Sequence, residues 1–322
     1  MKLVKLLTAT ALLLSVMHTS QAQFKVIGYI FSRGNIVADL EQVDLDKLTH
    51  LNIAFINPDT TGVFKPIPAL DTVVQIAHQH NVKVMMSCGG GSRHVYYARL
   101  LSDAYRPQVV SNFIAFLDKY NLDGIDVDIE GDDIDDNYEN FVVALSNPLH
   151  QRGKLLTAAL AYYTRNRISD RALSQFDFVN LMAYDKTGPW RPSAPGQHSP
   201  MSYVTDHLDY WSKERNMPKE KLVVGVPFYG YGFGPLADTS KRYQSMSYKD
   251  IIAAFPGAAT QDEMALPNNG GTIYYNGMPT IKAKTEVAMQ RGSGVMIWQL
   301  LADTNNDTSL LNVITQTIRK QP

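Results

Sequence analysis

Hydrophobic runs alternate with amphipathic segments along most of the chain. Apolar, strand-like runs occupy residues 24–31, 49–56, 82–88, 124–130, 155–163, 178–185, 222–230 and 294–300. Between most of these runs lie segments of helical periodicity, at 68–81, 106–121, 137–153, 199–216 and 281–292. Short runs rich in branched apolar residues favour strands, and longer segments with an apolar residue at every third or fourth position favour helices. Eight strands that alternate with helices predict an α/β protein whose parallel strands close into a (β/α)8 TIM barrel.

The fourth apolar run carries a row of acidic side chains. Asp126, Asp128 and Glu130 alternate with branched apolar residues. Because successive side chains of a strand point to opposite faces, the three carboxyl groups share one face, about 6–7 Å from one to the next. Neighbouring like charges disfavour ionisation, so the pattern predicts that at least one of these acids has a raised pKa. A carboxylic acid that stays protonated near neutral pH is what glycoside hydrolysis requires of its general acid.

Acid-rich segments also occur as solvated loops and as calcium-binding loops. A calcium loop of the EF-hand type needs oxygen ligands around a central glycine and a glutamate at its twelfth position. In the run 124–130 branched apolar residues separate the acids, which favours an extended, half-buried chain. The segment 131–136 that follows lacks apolar alternation and is predicted to be a solvated loop at the rim.

Several motifs of the chain resemble those of one known family. The acidic segment 123–130 resembles the Asp-x-x-Asp-x-Asp-x-Glu signature of glycoside hydrolase family 18, the chitinase family. Further segments are similar to its other motifs in the expected order: Ser-x-Gly-Gly at 87–90, Met-x-Tyr-Asp at 182–185 with Gly188 and Trp190 beyond it, and the seventh and eighth strands at 225–230 and 294–300. Because these segments span nearly all of the chain after residue 22, the chain resembles a secreted, bacterial catalytic domain of this family.

The segment 231–280 is longer than a simple connection between a strand and a helix. It contains a helical pattern at 247–255 and a strand-like run at 272–275. In its place in the chain it resembles a reduced form of the small insertion that some family members carry between strand seven and helix seven. We expect it to add only a low wall to the cleft.

The acidic row falls where barrels of this kind carry their chemistry, at the carboxyl ends of the strands. Glu130 is expected to be the last residue of strand four, with Asp128 and Asp126 successively deeper in the barrel. Desolvation and mutual repulsion predict that Asp126 and Asp128 share a proton and that Glu130 stays protonated long enough to act as an acid. Asp123 has the opposite parity and lies at the start of the strand, so it is expected to face the helices or the bottom of the barrel and to have a structural role.

Polar residues at other strand ends extend the predicted site. Ser87 closes strand three and is expected to hydrogen-bond the buried carboxylates. Tyr184 closes strand six, where its hydroxyl is able to donate to an acetamide oxygen, and Asp185 follows it at the rim. Cys88, the one cysteine of the chain, has outward parity and is expected to pack as a small buried hydrophobe and not to act as a nucleophile.

Aromatic residues are predicted at the same rim. Trp298 closes strand eight with inward parity, and Tyr29 and Phe55 take inward positions on strands one and two. Aromatic residues at strand ends are often part of the core, but three of them at one rim suit the apolar faces of a sugar ring. Trp190 is a further candidate for substrate contact. The family resemblance implies that Trp298 forms the floor of the subsite that binds the reacting sugar.

The resemblance also implies a retaining, substrate-assisted mechanism, an exception to the usual scheme with two carboxylates. The N-acetyl oxygen of the substrate would attack the anomeric carbon and form an oxazolinium ion, while Glu130 protonates the leaving oxygen. Asp128 would hold the acetamide N–H and Tyr184 its oxygen. Asp126 with Ser87 would store negative charge. No metal or other cofactor is implied, and the histidines are scattered without ligand spacing.

Two positions depart from the commonest family pattern. Residue 129, often Trp in chitinases, is Ile129, as in hevamine-like chitinases and some endo-β-N-acetylglucosaminidases, and Tyr231 stands where arginine is frequent. The favoured function is a secreted chitinase that hydrolyses the β-1,4 bonds of chitin or chitooligosaccharides. An endo-β-N-acetylglucosaminidase that cleaves the chitobiose core of N-glycans is the alternative. A non-catalytic chitinase-like lectin is less favoured because Glu130 is present.

The net charge of the chain indicates its class of partner, and its first 22 residues indicate its location. The formal net charge is −1 and no basic stripe occurs, so the expected partner is chitin or another glycan that contains N-acetylglucosamine, and not nucleic acid. Residues 1–22 combine Lys2 and Lys5 with a short apolar run and a small-x-small site that ends at Ala22. This pattern predicts a cleavable signal peptide, a secreted or periplasmic protein, and a catalytic barrel over 23–322. We expect a monomer without membrane contact after cleavage.

Overall fold

Twelve β-strands occur among residues 23–320, which are the residues that the computed structural model describes; the predicted signal peptide lies outside them. The strands are β1 (Lys25–Ile30), β2 (His50–Ile53), β3 (Lys83–Gly89), β4 (Gly124–Asp128), β5 (Leu155–Leu160), β6 (Phe178–Leu181), β7 (Leu222–Pro227), β8 (Tyr229–Phe233), β9 (Ser245–Ser247), β10 (Glu263–Ala265), β11 (Thr272–Tyr274) and β12 (Gly294–Trp298). Eight of them close a parallel barrel in the order β1-β12-β7-β6-β5-β4-β3-β2. The predicted TIM barrel is confirmed.

Helices lie outside the barrel, and some of them belong to the segment that follows β7. They are α1 (Ile36–Leu40), α2 (Leu70–Gln79), α3 (Tyr97–Leu100), α4 (Arg106–Lys119), α5 (Tyr138–His150), α6 (Asp170–Gln175), α7 (Met201–Asp209), α8 (Pro235–Thr239), α9 (Lys241–Gln244), α10 (Tyr248–Ala254), α11 (Met278–Arg291) and α12 (Leu310–Arg319). The five helices predicted from periodicity between strands are present as α2, α4, α5, α7 and α11. The sequence pattern did not predict α12 or the short helices α1, α3, α6, α8 and α9.

Alternate residues of the barrel strands face two different cores. On β4, Ile125 and Val127 point outward into the apolar layer between strands and helices, where both are fully buried. Burial of such a side chain stabilises the fold by about 1.5–3 kcal/mol. Inside the barrel a smaller apolar cluster includes Ile27, Phe178 and Met296. The alternation therefore orients β4 with its apolar residues outward and its acids inward.

Some barrel strands end earlier than the hydrophobic runs suggest. β4 ends at Asp128, so Glu130 lies two residues beyond the strand and is not its last residue. β6 and β2 likewise end before Tyr184 and Phe55. After Glu130 the chain enters a 3-10 turn at Gly131–Asp133, and Gly131 takes a φ of +58°. An alternating pattern indicates which face of a strand a side chain is on. It does not indicate the residue at which hydrogen bonding to the neighbouring strand ends.

The segment after β7 forms a small sheet of its own, and the predicted insertion is confirmed. Strands β8 to β11 pair antiparallel in the order β10-β11-β8-β9, and α10 and β11 occupy the predicted helical and strand-like positions. Lys284 of α11 connects this region to the barrel. Its fully buried ammonium group donates at 2.6 Å to the carbonyl and the hydroxyl of Ser199 and to Oδ1 of Asn276.

Candidate active site

The carboxyl ends of the barrel strands open into a cavity of about 560 Å³. Seven residues predicted for the site line it: Phe55, Asp128, Glu130, Tyr184, Asp185, Trp190 and Trp298. Six further lining residues were not predicted: Gly91, Ala161, Tyr162, Tyr163, Met182 and Tyr203. None of the described residues 231–280 lines this cavity, so the insertion adds no wall to it.

Asp126 lies below the cavity, fully buried inside the barrel. Its Oδ2 accepts hydrogen bonds from the hydroxyls of Tyr29 at 2.6 Å and Ser87 at 2.8 Å. Its Oδ1 accepts from the hydroxyl of Thr157 at 2.6 Å and from Nδ2 of Asn180 at 3.2 Å. Burial raises the pKa of Asp126, and the four donors oppose that rise because each of them stabilises the anion.

Tyr29 and Ser87, which the sequence predicts as substrate contacts, lie beneath the cavity and not in its lining. Neither residue lines the cavity, and both are buried, with 1% and 0% of their surface exposed. Inward parity brings both side chains into the barrel interior, but their height along the strands places them beneath the cavity. Both hold Asp126, so the expected hydrogen bond from Ser87 to a buried carboxylate is present.

The predicted sharing of a proton between Asp126 and Asp128 is not present as a hydrogen bond. Four other side chains occupy the acceptor positions of Asp126, and Oδ1 of Asp128 is buried without a hydrogen-bond partner among the described residues. Burial raises the pKa of Asp128 well above its ordinary value, and the charges of Glu130 and Asp126 add to the rise. The geometry therefore favours a negative charge on Asp126 and a proton on Asp128.

Glu130 is a carboxyl group of the cavity whose pKa lies near neutrality. Burial raises the pKa of Glu130 to about 7, although a hydrogen bond from Tyr163 lowers it and the charge of Asp185 raises it further. The Tyr163 hydroxyl donates to Oε2 of Glu130 at 3.3 Å. A carboxyl group with a pKa near the working pH is able both to give and to take a proton.

Two glycines of the 87–90 motif position the backbone of Asp128. Gly89 pairs with Asp128 between β3 and β4 and has a φ of +100°, and a Cβ on it would lie 2.2 Å from the Asp128 carbonyl oxygen. Gly90 donates its N–H to the same oxygen at 2.7 Å. A Cβ on Gly90 would lie 2.7 Å from the Phe55 ring. Only glycine fits this close approach of strand three to the acidic strand.

Tyr184 and Asp185 follow β6 and complete the polar part of the lining. Burial, followed by the charge of Asp128, raises the pKa of Tyr184 well above its ordinary value, so its hydroxyl is a neutral donor. Asp185 has a φ of +59° and accepts a hydrogen bond from the Tyr229 hydroxyl. Because Tyr229 is the first residue of β8, the small antiparallel sheet supports the site through Asp185.

Aromatic rings form the apolar part of the cavity. The Trp298 indole stacks on Phe55 with 5.5 Å between ring centroids and 25° between planes. Trp190 is 56% exposed at the rim and packs edge-on against Tyr231 at 5.4 Å. The structure thus brings three of the four predicted aromatic contacts to the cavity and leaves Tyr29 beneath it.

A group of tyrosines on the β5 side of the cavity was not predicted from the sequence. Tyr162 and Tyr163 begin the 3-10 turn that follows β5, and Tyr203 lies on α7. The pair at 162 and 163 closes the fifth hydrophobic run, and an aromatic pair at a strand's carboxyl end was the available signal. Tyr203 carries no comparable signal, because it lies inside an amphipathic helix.

Asp123 and Cys88 lie outside the barrel interior, as their parity predicts. Asp123 accepts hydrogen bonds from the Val84 N–H at 2.8 Å and from Nε2 of His78 on α2 at 2.7 Å. Cys88 is fully buried in the apolar layer between strands and helices. The surroundings of both residues are therefore typical of a structural role.

Among residues 23–320, no group of three His, Cys, Asp or Glu side chains is placed to hold a metal ion. In the same part of the chain, no helix is long and apolar enough to cross a membrane.

Comparison with known proteins identifies similar sequences and folds. The family model for glycosyl hydrolases family 18 matches residues 25–303. The chain is 30% identical over 240 residues to "Probable chitinase 2" of Drosophila melanogaster, which covers 62% of this chain and 48% of that protein. It is 25% identical over 316 residues to a class V chitinase of Arabidopsis thaliana, with 83% of each chain covered. The chain thus spans about half the length of the first relative and most of the second.

Two bacterial crystal structures share the architecture. The GH18 chitinase ChiB from the chitin utilization locus of Flavobacterium johnsoniae superimposes with a TM-score of 0.83 at 39% identity, over 92% of this chain and 94% of that one. A chitinase from Bacteroides thetaiotaomicron superimposes with a TM-score of 0.80 at 28% identity, over 93% and 98% of the two chains. The similarity therefore extends over the whole barrel.

Proposed function

This chain belongs to the glycosyl hydrolases of family 18, and on that premise we propose that it is a chitinase that cleaves β-1,4 bonds of chitin or chitooligosaccharides with retention of configuration. The observation that carries the proposal is Glu130, a cavity-lining carboxyl group whose pKa burial raises to about 7. It lines the same cavity as Trp298 and as Asp128, whose Oδ1 has no hydrogen-bond partner among residues 23–320. Such a group is suited to protonate a glycosidic oxygen.

The proposed first step uses the substrate's own acetamide as nucleophile. The acetamide oxygen forms a bond to the anomeric carbon, and the bond from that carbon to the leaving oxygen breaks. Glu130 gives its proton to the leaving oxygen and keeps the electron pair of the O–H bond. In the second step the Glu130 carboxylate takes a proton from water, whose oxygen opens the oxazolinium ring at the anomeric carbon and restores the configuration.

The other inward side chains stabilise this sequence. The buried Oδ1 of Asp128, which lacks a partner among the described residues, is available to the acetamide N–H. The neutral hydroxyl of Tyr184 is available to the acetamide oxygen. Asp126, held by four donors, supplies a fixed negative charge below the cationic ring. Such a preorganised charge stabilises the positive charge that develops on the ring in the transition state. Ser87 and Tyr29 contribute by holding that charge.

The sugar rings are proposed to pack on the aromatic lining. The stacked pair of Trp298 and Phe55 offers an apolar floor, and Trp190 offers an exposed face at the rim. Asp185 is proposed to accept a hydrogen bond from a sugar hydroxyl. We further propose that residues 1–22 direct secretion and are removed, and that the remaining catalytic barrel acts as a monomer.

The test of the activity uses purified protein without residues 1–22. We expect cleavage of a fluorogenic chitobioside and of chitotetraose, and no release of glycan from a native N-glycoprotein incubated side by side. Glu130→Gln should lower kcat by about two to four orders of magnitude, the range of general acid catalysis, and leave folding and ligand binding intact. Near wild-type turnover by this variant would remove Glu130 from the mechanism, and glycan release alone would favour the endo-β-N-acetylglucosaminidase.

The test of substrate assistance uses ligands that differ at the 2-acetamido group. A thiazoline analogue of the cyclised intermediate should inhibit far better than free N-acetylglucosamine, because it mimics the shape and charge that develop after attack. An oligosaccharide whose reacting sugar lacks the acetyl group should bind without turnover. Cleavage of that sugar at a comparable rate would require a protein nucleophile instead.

A further inference from the structure

Tyr163 is the hydrogen-bond donor that the structure places on the Glu130 carboxyl group. Its hydroxyl lies 3.3 Å from Oε2 of Glu130. The other oxygen, Oε1, faces Gly91, where a Cβ would lie only 3.5 Å away. Tyr163 comes from the turn after β5, so the contact joins the chain beyond β5 to the chain beyond β4.

We propose that Tyr163 is a positioning residue that orients the Glu130 carboxyl group through Oε2 and thereby assigns the transferable proton to Oε1. This inference rests on the proposed function and concerns the control of its acid. An oxygen that accepts an O–H donor is the poorer place for a proton, so the neutral carboxyl group carries its hydrogen on the other oxygen. After proton transfer to the leaving oxygen, the same donor stabilises the carboxylate that remains.

The exposure of Tyr163 indicates that its contact with Glu130 is separate from its contribution to folding. The residue is 67% exposed, although it lines the cavity. A tyrosine that is mainly exposed contributes little to the core, and its hydroxyl makes the one side-chain hydrogen bond found for it among the described residues. Removal of the hydroxyl therefore changes the surroundings of Glu130 without disturbing the barrel.

The other charged groups near Glu130 set the direction of the expected pH effect. The charge of Asp185, from the chain after β6, favours a protonated Glu130, and the charge of Glu130 in turn raises the pKa of Asp128 on β4. Tyr184 is neutral and faces the same carboxyl groups. Arg167, a cation of the turn that carries Tyr163, donates to Asp132 and to the Gly131 carbonyl.

Among these groups Tyr163 is therefore the side chain that favours the ionised form of Glu130. Its loss should raise the pKa of Glu130. Because Glu130 must carry a proton to act as an acid, activity falls as pH rises through that pKa. Loss of the hydroxyl should then move the basic limb of the pH–rate profile to higher pH.

The experiment compares Tyr163→Phe with the wild type and with Tyr105→Phe. Tyr105 is also exposed, lies outside the cavity and packs on Arg99, so its variant controls for loss of a surface hydroxyl. For kcat/KM on chitotetraose, we expect the basic limb of Tyr163→Phe to move up by about half to one pH unit, which is the free energy of one ordinary hydrogen bond expressed as a pKa shift. The control should superimpose on the wild type.

An aryl chitobioside separates acid catalysis from binding. Its leaving group needs less protonation than a sugar, so Tyr163→Phe should lose less of kcat on it than on chitotetraose. A basic limb that stays in place or moves to lower pH, or an equal loss of kcat on both substrates, would overturn the assignment.

A carboxyl titration keeps this test independent of the proposed activity. NMR titration of the Glu130 side-chain carboxyl, identified by its loss in Glu130→Gln, reports the pKa even in a protein that cleaves neither substrate. An upward shift in Tyr163→Phe would support the positioning role, and an unchanged pKa would refute it. Absence of cleavage by the wild type would instead count against the proposed function alone.

Discussion

Asp123 and Asp128 lie on the same acidic segment, and the same isosteric change at each should have opposite effects. Asp128→Asn removes a carboxyl group that the structure favours in its protonated form. A protonated acid and an amide have the same shape, so packing is kept. Since burial raises the folded-state pKa of Asp128 above its unfolded value, folding at pH 7 requires Asp128 either to take up a proton or to bury a charge, and both cost stability. The variant should unfold at an equal or higher urea concentration than the wild type.

Activity should respond in the other direction. An amide at position 128 cannot become an anion beside the developing oxazolinium charge and cannot hold the acetamide N–H in the same way. Misplacement of a reacting group by about 1 Å can cost a factor of a hundred, so we expect kcat on chitotetraose to fall about a hundredfold or more.

Asp123→Asn should lose stability and keep activity. An amide oxygen at the Oδ2 position is still able to accept from the Val84 N–H and His78, but the negative charge that strengthens both bonds is lost. The attraction to Lys154, 3.8 Å from Oδ1, is lost as well. Charge-assisted hydrogen bonds are about twice as strong as neutral ones, so we expect a loss of about 1–2 kcal/mol in the free energy of unfolding.

The assay pairs urea unfolding with initial rates on chitotetraose for the two variants. A stably folded Asp123→Asn protein with a crippled kcat would refute the assignment of the two faces of β4. So would an Asp128→Asn protein that turns over at the wild-type rate.

Three further predictions concern the acid, the close approach of two strands and the buried lysine. The kcat/KM on chitotetraose should fall as pH rises through about 7, because Glu130 must carry its proton, and a rate that stays flat to pH 9 would contradict this. Gly89→Ala should lower kcat and the melting temperature more than Gly257→Ala, because both glycines have positive φ but only Gly89 faces backbone atoms; equal losses would show that strain alone matters. Lys284→Met should reduce the free energy of unfolding by about 2–4 kcal/mol, since it leaves buried acceptors without a donor, and an unchanged urea midpoint would show that the acceptors find other partners.

Much of the fold and the acidic centre could be predicted from sequence because both depend on periodicity. Alternation on β4 sends Asp126, Asp128 and Glu130 to one side of the strand. The same logic brings Tyr29 and Ser87 inward, but it does not report height along the barrel axis. Both residues therefore lie beneath the cavity and not in its lining.

Residues without a motif were harder to predict. Thr157 and Asn180 donate to Asp126 from β5 and β6, yet each is a single polar residue inside an apolar run. Their role depends on which strands become neighbours across the barrel. The side chain of Tyr163 reaches Glu130 only because the chain turns after β5. Such contacts depend on tertiary geometry, which local patterns do not encode.

The four donors around Asp126 have a consequence for how the barrel can be divided. Tyr29 and Ser87 come from β1 and β3, before Asp126 in the chain, whereas Thr157 and Asn180 come from β5 and β6, after it. A cut between β4 and β5 would separate the carboxylate from half of its donors and expose the remainder to water. A buried anion that needs both sides of the chain makes the two half-barrels interdependent, so neither fragment should be a self-sufficient module for recombination with another barrel.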